Sequence, residues 1–321
     1  MELAPVSRRR FALGLSGLAA ASFFKGTPWA AAQSAIRVSV FSDEITDDFG
    51  RACEIAAREF KLGHVELRSM WKKNVTRLDE KELGEVEAIL KRNALGVSSI
   101  AGPLFKVDWA GAPVSKFSPT REFSTDWTFE QQDEVLQREI DLARRFKTDR
   151  VRCFDFWRLD DPKPHRPAMY AMLQAAAEKA GRSGLTLVME NEHACQSRTT
   201  PEAVETLKGV PSPHFKLNWD PGNAYFASET PYPAAYGLLP KDRIGHVHCK
   251  DAIRKPVGGP AWACMGKGEI DFVGQFRALA RDRYRGFVVL ETHWRGADGA
   301  EESTRQSMAG MKVQLAQAGL A

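Results

Sequence analysis

No C-x-x-C pair occurs in this 321-residue chain, and its five cysteines, Cys53, Cys153, Cys195, Cys249 and Cys264, are odd in number and widely spaced. That spacing argues against a zinc ribbon, a thioredoxin-type redox motif or a disulfide framework. Free core thiols are the expected state, with Cys249 and Cys264 the pair to examine for a bridge. No run is long and apolar enough to cross a bilayer, which takes about 20 residues. No Gly/Ser-rich linker or shift of composition divides the chain, and no true phosphate-binding loop is present: Gly266-Lys267-Gly268 lacks the glycine spacing and the Ser/Thr, and reads as a turn before a helix capped by Asp271.

An excess of charge is missing too. The formal +4 comes largely from the first 32 residues, which hold Arg8, Arg9, Arg10 and Lys25 against Glu2; without them 41 of the 45 basic and 40 of the 41 acidic residues remain. A balanced chain gives no electrostatic case for nucleic acid or for an anionic membrane. The segment itself has a recognisable order: the twin-arginine pattern Ser7-Arg8-Arg9-Arg10-Phe11-Ala12-Leu13, a moderately apolar stretch from Ala12 to Phe24, and Ala30-Ala31-Ala32 before Gln33. This is the order of a bacterial Tat export signal. Residues 1–32 are therefore expected to be cleaved, leaving residues 33–321 as a periplasmic protein without a membrane segment.

What is present is an alternation. Short β-branched and apolar runs, Ile36–Phe41, His64–Arg68, Gly96–Ile100, Arg150–Phe154, Leu185–Met189, His214–Trp219, Ile244–Val247 and Phe287–Leu290, are separated by helix-length segments. Helices are expected from an Asp47 cap to about Phe60, over 78–93, 128–146 and 167–181, with a long Pro- and Trp-containing loop from Gly102 to about Asp126. Strands alternating with such helices pair in parallel through crossovers. Eight units without a divider predict an α/β fold, a single (β/α)8 TIM barrel over 33–321, whose active site lies at the C-terminal strand ends.

Four of those strand ends carry Glu190, Asp220, His248 and Glu291. Three carboxylates and an imidazole converging on one mouth predict a site for one divalent ion. Oxygen-rich ligation with one imidazole and no thiolate favours Mn²⁺ or Mg²⁺, with Co²⁺ or Zn²⁺ also compatible. His246 and His248 alternate along one strand and face the same side; His248, nearer the strand end, is assigned to the ion. Glu44, Glu66, Arg68 and Lys106 lie at or beyond the first three strand ends, as pocket groups or as a salt-bridged rim. His193 and His293 either meet substrate or end their loops.

The runs Val188-Met189-Glu190-Asn191, Asn218-Trp219-Asp220-Pro221-Gly222-Asn223, His246-Val247-His248-Cys249-Lys250-Asp251, Gly266-Lys267-Gly268-Glu269-Ile270-Asp271 and Val289-Leu290-Glu291 resemble the xylose-isomerase-like TIM barrels known as sugar phosphate isomerases/epimerases. The likeness covers essentially all of 33–321. It implies Glu190, Asp220, His248 and Glu291 as ligands of one divalent ion. It also implies Glu190 and Glu291 as the acid/base pair, Arg254 as a substrate-binding residue six positions after the ligand His, and Asn223 as a pocket side chain where the family usually has His.

The chemistry so implied is removal of a proton beside a carbonyl, through an enediolate, on a small-molecule carbohydrate. An isomerase or epimerase acting on an unphosphorylated sugar or keto-sugar is the expected activity. A metal-dependent lyase or hydratase on keto-glycosides, an endonuclease of the related apurinic-site barrels and a non-catalytic sugar-binding protein are the alternatives. No nucleic-acid partner is expected, and assembly into a homo-oligomer is left open.

Overall fold

Each apolar run becomes a strand of one parallel sheet in the computed structural model, which describes residues 36–118 and 127–320. The twin-arginine segment and residues 119–126 of the long loop lie outside the described residues. In chain order the strands are β1 (Arg37–Val40), β2 (His64–Leu67), β3 (Gly96–Ile100), β4 (Arg150–Cys153), β5 (Thr186–Glu190), β6 (Phe215–Trp219), β7 (Ile244–Cys249) and β8 (Phe287–Leu290). They are ordered β1-β8-β7-β6-β5-β4-β3-β2, and a parallel bridge between Phe41 and Glu66 brings the last strand round to the first. The fold is the expected eight-stranded barrel.

The helices follow from local chemistry. In α2 (Glu80–Arg92) Asp79 and Glu82 form a reciprocal capping box, and Leu83, Val86, Ile89 and Leu90 make the buried stripe. In α1 (Phe49–Glu54) the cap is Asp48, whose Oδ1 accepts from Arg51 N at 3.0 Å; the expected Asp47 instead accepts from Lys72 N at 2.9 Å. The helix α3 (Gln132–Phe146) begins four residues later than expected, because Gln131 and Gln132 fold back on Thr128 through side-chain hydrogen bonds. The crossover helices α4 (Arg166–Gly181), α5 (Thr200–Gly209), α6 (Pro221–Phe226), α7 (Phe272–Arg281) and α8 (Gly299–Gln317) complete the outer layer. Asp271 caps α7 as expected, accepting from Gly274 N at 2.7 Å. Among the described residues no helix is long and apolar enough to cross a membrane.

Apolar side chains fill the layer between strands and helices, whereas the barrel interior carries Ser39, Ser98, Glu66 and His246, each fully buried. One feature has no counterpart in the sequence reading. After β7 the chain forms an antiparallel hairpin, Asp251–Lys255 paired with Gly259–Ala263, turning at Gly258 and Gly259 with φ of 96° and 83°. Its base is held by the Asp251 carboxylate, which accepts from Gly266 N and Gly268 N at 3.0 Å each. A Cβ on Gly268 would lie 2.1 Å from Asp251 Oδ1, so that approach requires glycine.

Candidate active site

Parallel register brings the four candidate side chains to one end of the barrel. Glu190 ends β5; Asp220 follows β6 and caps α6; His248 lies in β7; Glu291 follows β8, its N–H donating to Cys249 O at 3.0 Å. His248 Nδ1 is 3.5 Å from Glu190 Oε2 and 3.6 Å from Glu291 Oε2. One ligand atom from each of the four lies within 4.8 Å of the other three, and all four residues are buried. The fit to an oxygen-seeking divalent ion also shows in Asp220: Oδ1 accepts from Asn223 N at 2.8 Å, while the buried Oδ2 has no hydrogen-bond partner of good geometry.

A fifth group, absent from the sequence reading, joins them. Lys250 is 3% exposed, with Nζ 2.6 Å from Glu291 Oε2, 2.9 Å from Asp220 Oδ2 and 3.7 Å from Glu190 Oε1. Burial alone would lower its ammonium, but Asp220, Glu291 and Glu190 hold it well above the usual lysine range. The same interactions sort the acids. Burial raises Glu190, but His248 and Lys250 outweigh it and bring it to about 2. Burial likewise opposes ionisation of Glu291, yet Lys250, His293 and Arg68 carry it well below the carboxylate range. Asp220 goes the other way, to about 6, because burial and the two neighbouring glutamates exceed the effect of Lys250.

Below the mouth, Glu66 connects the two histidines. Its Oε1 lies 3.0 Å from His248 Nε2, its Oε2 lies 2.7 Å from His246 Nε2, and Ser98 Oγ donates to Oε2 at 3.2 Å. A carboxylate on Nε2 leaves Nδ1 as the atom turned toward the other ligands. Burial lowers the His248 imidazole, but Glu190 and Glu66 carry it up to about 10; a cation among the carboxylates would take Nδ1 and displace that proton.

Each acid/base candidate also bears an arginine. Arg68 forks from Asp43 Oδ2 to Glu44 Oε1 and Glu291 Oε1, each at 2.7 Å. Arg152 donates to Glu190 Oε2 at 3.1 Å and to Ala101 O at 2.7 Å. Glu44 is pushed up by burial but brought to about 2 by Arg68 and His293, the latter with Nδ1 at 3.1 Å. Glu44 and Arg68 are thus joined to the cluster through Glu291. Asn223 is buried against it, its Nδ2 donating to Glu190 Oε1 at 3.0 Å. Lys106 Nζ reaches Glu192 Oε2 at 3.5 Å, and Glu192 Oε1 is 2.7 Å from His193 Nδ1, so both stand beside the cluster without entering it. Arg254 is exposed on the hairpin, with its guanidinium 5.5 Å from the centre of the Tyr225 ring.

The cysteines settle one expectation. All five are free and buried; adjacent to His248, Cys249 faces the opposite side of β7, while the Cys264 thiol meets Met265 O at 3.8 Å and Ser307 Oγ at 3.7 Å. The Cys249–Cys264 bridge is not formed. At the other, N-terminal end of the barrel a cavity of about 630 Å³, lined in part by Arg150, Lys216, Lys241 and Arg285, contains no histidine and none of the predicted site residues.

Two omissions had signals in the sequence. Lys250 continues the alternation of His246 and His248, and Val257-Gly258-Gly259 is a turn signal between two short runs. Arg152 gave a weaker one: in β4 it alternates with Arg150, and only the closed barrel makes the inward position a neighbour of Glu190.

A family described as xylose isomerase-like TIM barrel matches residues 55–314. An Escherichia coli (strain K12) protein, SgbU, whose name assigns it to L-ribulose-5-phosphate 3-epimerases, is 27% identical over 170 residues, covering 50% of this chain and 58% of that protein. An inosose dehydratase of Bacillus velezensis is 30% identical over 128 residues, covering 35% of this chain and 42% of its own length. The chain thus spans about half the length of these curated relatives. Among solved structures, a xylose isomerase-like TIM barrel protein from Mycobacterium smegmatis in complex with magnesium superposes with a TM-score of 0.65 at 19% identity, covering 91% of this chain and 100% of that one.

Proposed function

This chain belongs to the xylose isomerase-like TIM barrel family, and on that premise we propose that it is a divalent-metal-dependent isomerase or epimerase of an unphosphorylated sugar or keto-sugar. The observation that carries the proposal is the pairing of Glu190 and Glu291 across one buried point together with Asp220 and His248. The named relatives, an epimerase and a dehydratase of carbohydrate-type substrates, agree with proton chemistry beside a carbonyl.

Glu190, Asp220, His248 and Glu291 would hold the ion, which supplies Lewis-acid stabilisation of the negative charge that develops on a carbonyl oxygen. The magnesium complex of a relative and the oxygen-rich donor set favour Mg²⁺ or Mn²⁺. Glu190 and Glu291 approach the substrate carbon from different strands, so one removes a proton and the other returns one to the opposite face, with the roles exchanged in the reverse direction. Arg68 holds the Glu291 oxygen turned away from His248, and Arg152 holds the Glu190 oxygen that faces it. Export of residues 33–321 to the periplasm accompanies this proposal, since phosphorylated sugars are chiefly cytoplasmic.

Lys250 favours a second reading. A buried ammonium within 3.7 Å of both glutamates adds a third charged group beside the pair, and β-elimination puts negative charge on a leaving oxygen, which such a cation would steady, while a base acts at the carbon. Proton NMR of candidate keto-sugars and glycosides in D₂O separates the outcomes. Epimerisation or isomerisation places one deuterium beside the carbonyl, whereas elimination releases water or an alcohol. Glu190→Gln and Glu291→Gln should each slow exchange by a factor on the order of 10² at saturating Mn²⁺ with occupancy verified. Unimpaired exchange in both metal-loaded variants would overturn the assignment of the pair.

A further inference from the structure

At the end of the barrel opposite the carboxylate cluster, the cavity of about 630 Å³ has a lining dominated by one sign of charge. Arg150, Lys216, Lys241, Arg283 and Arg285 stand there against two carboxylates, Asp242 and Asp282, which leaves a formal +3. The volume falls within the roughly 300–1,000 Å³ of small-molecule sites. Beyond its first 32 residues the chain is nearly balanced, so the excess is a local arrangement and not a reflection of composition.

The half-buried cations of this lining are fixed mainly by carbonyls. Lys241 Nζ donates to Tyr236 O at 2.5 Å and to Leu239 O at 2.6 Å, Lys216 Nζ to Asp242 O at 3.1 Å, and Arg150 Nε to Gly245 O at 2.9 Å. Arg150 also pairs with Asp149, but Lys216, Lys241, Arg283 and Arg285 form no ion pair among the described residues. Of the two acids, Asp282 is engaged by Arg281 at 2.9 Å and by the Tyr236 hydroxyl at 3.0 Å, and Asp242 is exposed. Burial pulls the Lys241 ammonium below the usual lysine range, and Asp282 does not offset it. A carbonyl orients an ammonium without cancelling its charge, so the lining presents positioned donors with an uncompensated positive charge.

We propose that this cavity binds a small anion that carries two or more phosphate or carboxylate groups. Guanidinium forks and ammonium groups accept either chemistry, and five donors around one hollow exceed what a single anionic group can engage. A nucleic acid would need an extended basic surface, whereas this one is concave and closed off by Asp242 and Asp282. The cavity is built from strand starts at Arg150, Thr186, Lys216 and Gly245, while Glu190, Asp220, His248 and Glu291 lie at strand ends, so the proposal stands or falls independently of the metal-dependent reading.

Calorimetric titration of the Mg²⁺-loaded protein with pyrophosphate, citrate and acetate tests it. Pyrophosphate or citrate should bind about tenfold or more tightly than acetate, and the tighter of the two tells a phosphorylated ligand from a polycarboxylate. The double variant Arg283→Gln/Arg285→Gln changes two exposed side chains and should weaken that binding about tenfold or more. Lys216→Met, which keeps the aliphatic stem, should weaken it in the same direction. Heat that came from withdrawal of Mg²⁺ at the other end of the barrel would persist unchanged in both variants. No binding of either polyanion below about 1 mM, acetate bound as tightly as both, or unchanged affinity in both variants overturns the proposal.

Discussion

Lys250→Met removes the charge at the centre of the carboxylate cluster and keeps the aliphatic stem. That stem packs against α6, where a Cβ on Gly222 would come within 2.5 Å of Lys250 Cγ. The ammonium lies within 3.7 Å of three buried carboxylates, two of them within 2.9 Å. Removing one partner of a buried pair costs about 3–5 kcal/mol, because the remaining charge loses its compensation. At roughly 2.1 cal/mol/K of unfolding entropy per residue, a barrel of this length loses about 5–8 °C of Tm.

The assay is thermal unfolding followed by circular dichroism, first with chelator and then across a Mn²⁺ titration. Chelated Lys250→Met should melt about 5–8 °C below the wild type. Mn²⁺ at about 100 times its Kd adds about 2.7 kcal/mol to any protein that binds it only when folded. The variant should recover more than the wild type does, because cation and ammonium repel each other over the same oxygens. A variant as stable as the wild type in chelator, or one that gains no more from Mn²⁺, would refute the idea that Lys250 and the ion neutralise one cluster.

Three further outcomes are expected. Glu66→Gln should weaken Mn²⁺ binding by about 10- to 100-fold in a chelator-competition titration, since it loosens the group that orients His248; unchanged affinity would remove Glu66 from that role. Glu139 in α3 is fully buried, and burial holds its pKa well above the usual range despite Arg152 and the Leu104 backbone. Above the unfolded carboxyl's pKa, near 4.5, the unfolded chain releases this proton and the folded one retains it, so stability falls as pH rises by up to about 1.4 kcal/mol per unit until the folded group titrates. Stability curves of Glu139→Gln and wild type should therefore coincide near about pH 4 and separate with the variant more stable by about pH 7; parallel curves would refute it. Replacement of Arg8 and Arg9 by Lys should retain the protein in the cytoplasm on fractionation, and unchanged export would refute the twin-arginine reading.

The sequence disclosed the barrel and its four-residue centre for the same reason. Parallel strands buried on both faces are written as short apolar runs, and a polar residue at the end of such a run is conspicuous. Glu190, Asp220, His248 and Glu291 all have that signature, and the structure gathers them. Lys250 is less conspicuous although it continues the His246–His248 alternation, because a lysine beyond a strand end is usually solvated; its burial depends on three carboxylates arriving from other strands. The hairpin from Asp251 to Ala263 has short strands, one stopped before Pro256 and the other broken by Pro260, so nothing periodic marked it before its partner strand was known. Glu139 shows the opposite failure: one acid in a charged amphipathic helix reads as surface, and only the packing of α3 on Gly102 places it inside.

The circle of strands also has two short joins. Among the described residues β1 and β2 meet through the single Phe41–Glu66 bridge and β3 and β4 through the single Ile100–Val151 pair, whereas the other neighbours share longer ladders. Glu66 therefore has two attachments: its backbone fastens the seam, and its carboxylate grips His248. If the seam parts, the imidazole loses its anchor, so slackening of the cylinder and release of an ion at its rim become one event. An ion bound at the rim would act in return as a clasp on a joint deeper in the wall, holding shut the place where the first two strands of the chain meet.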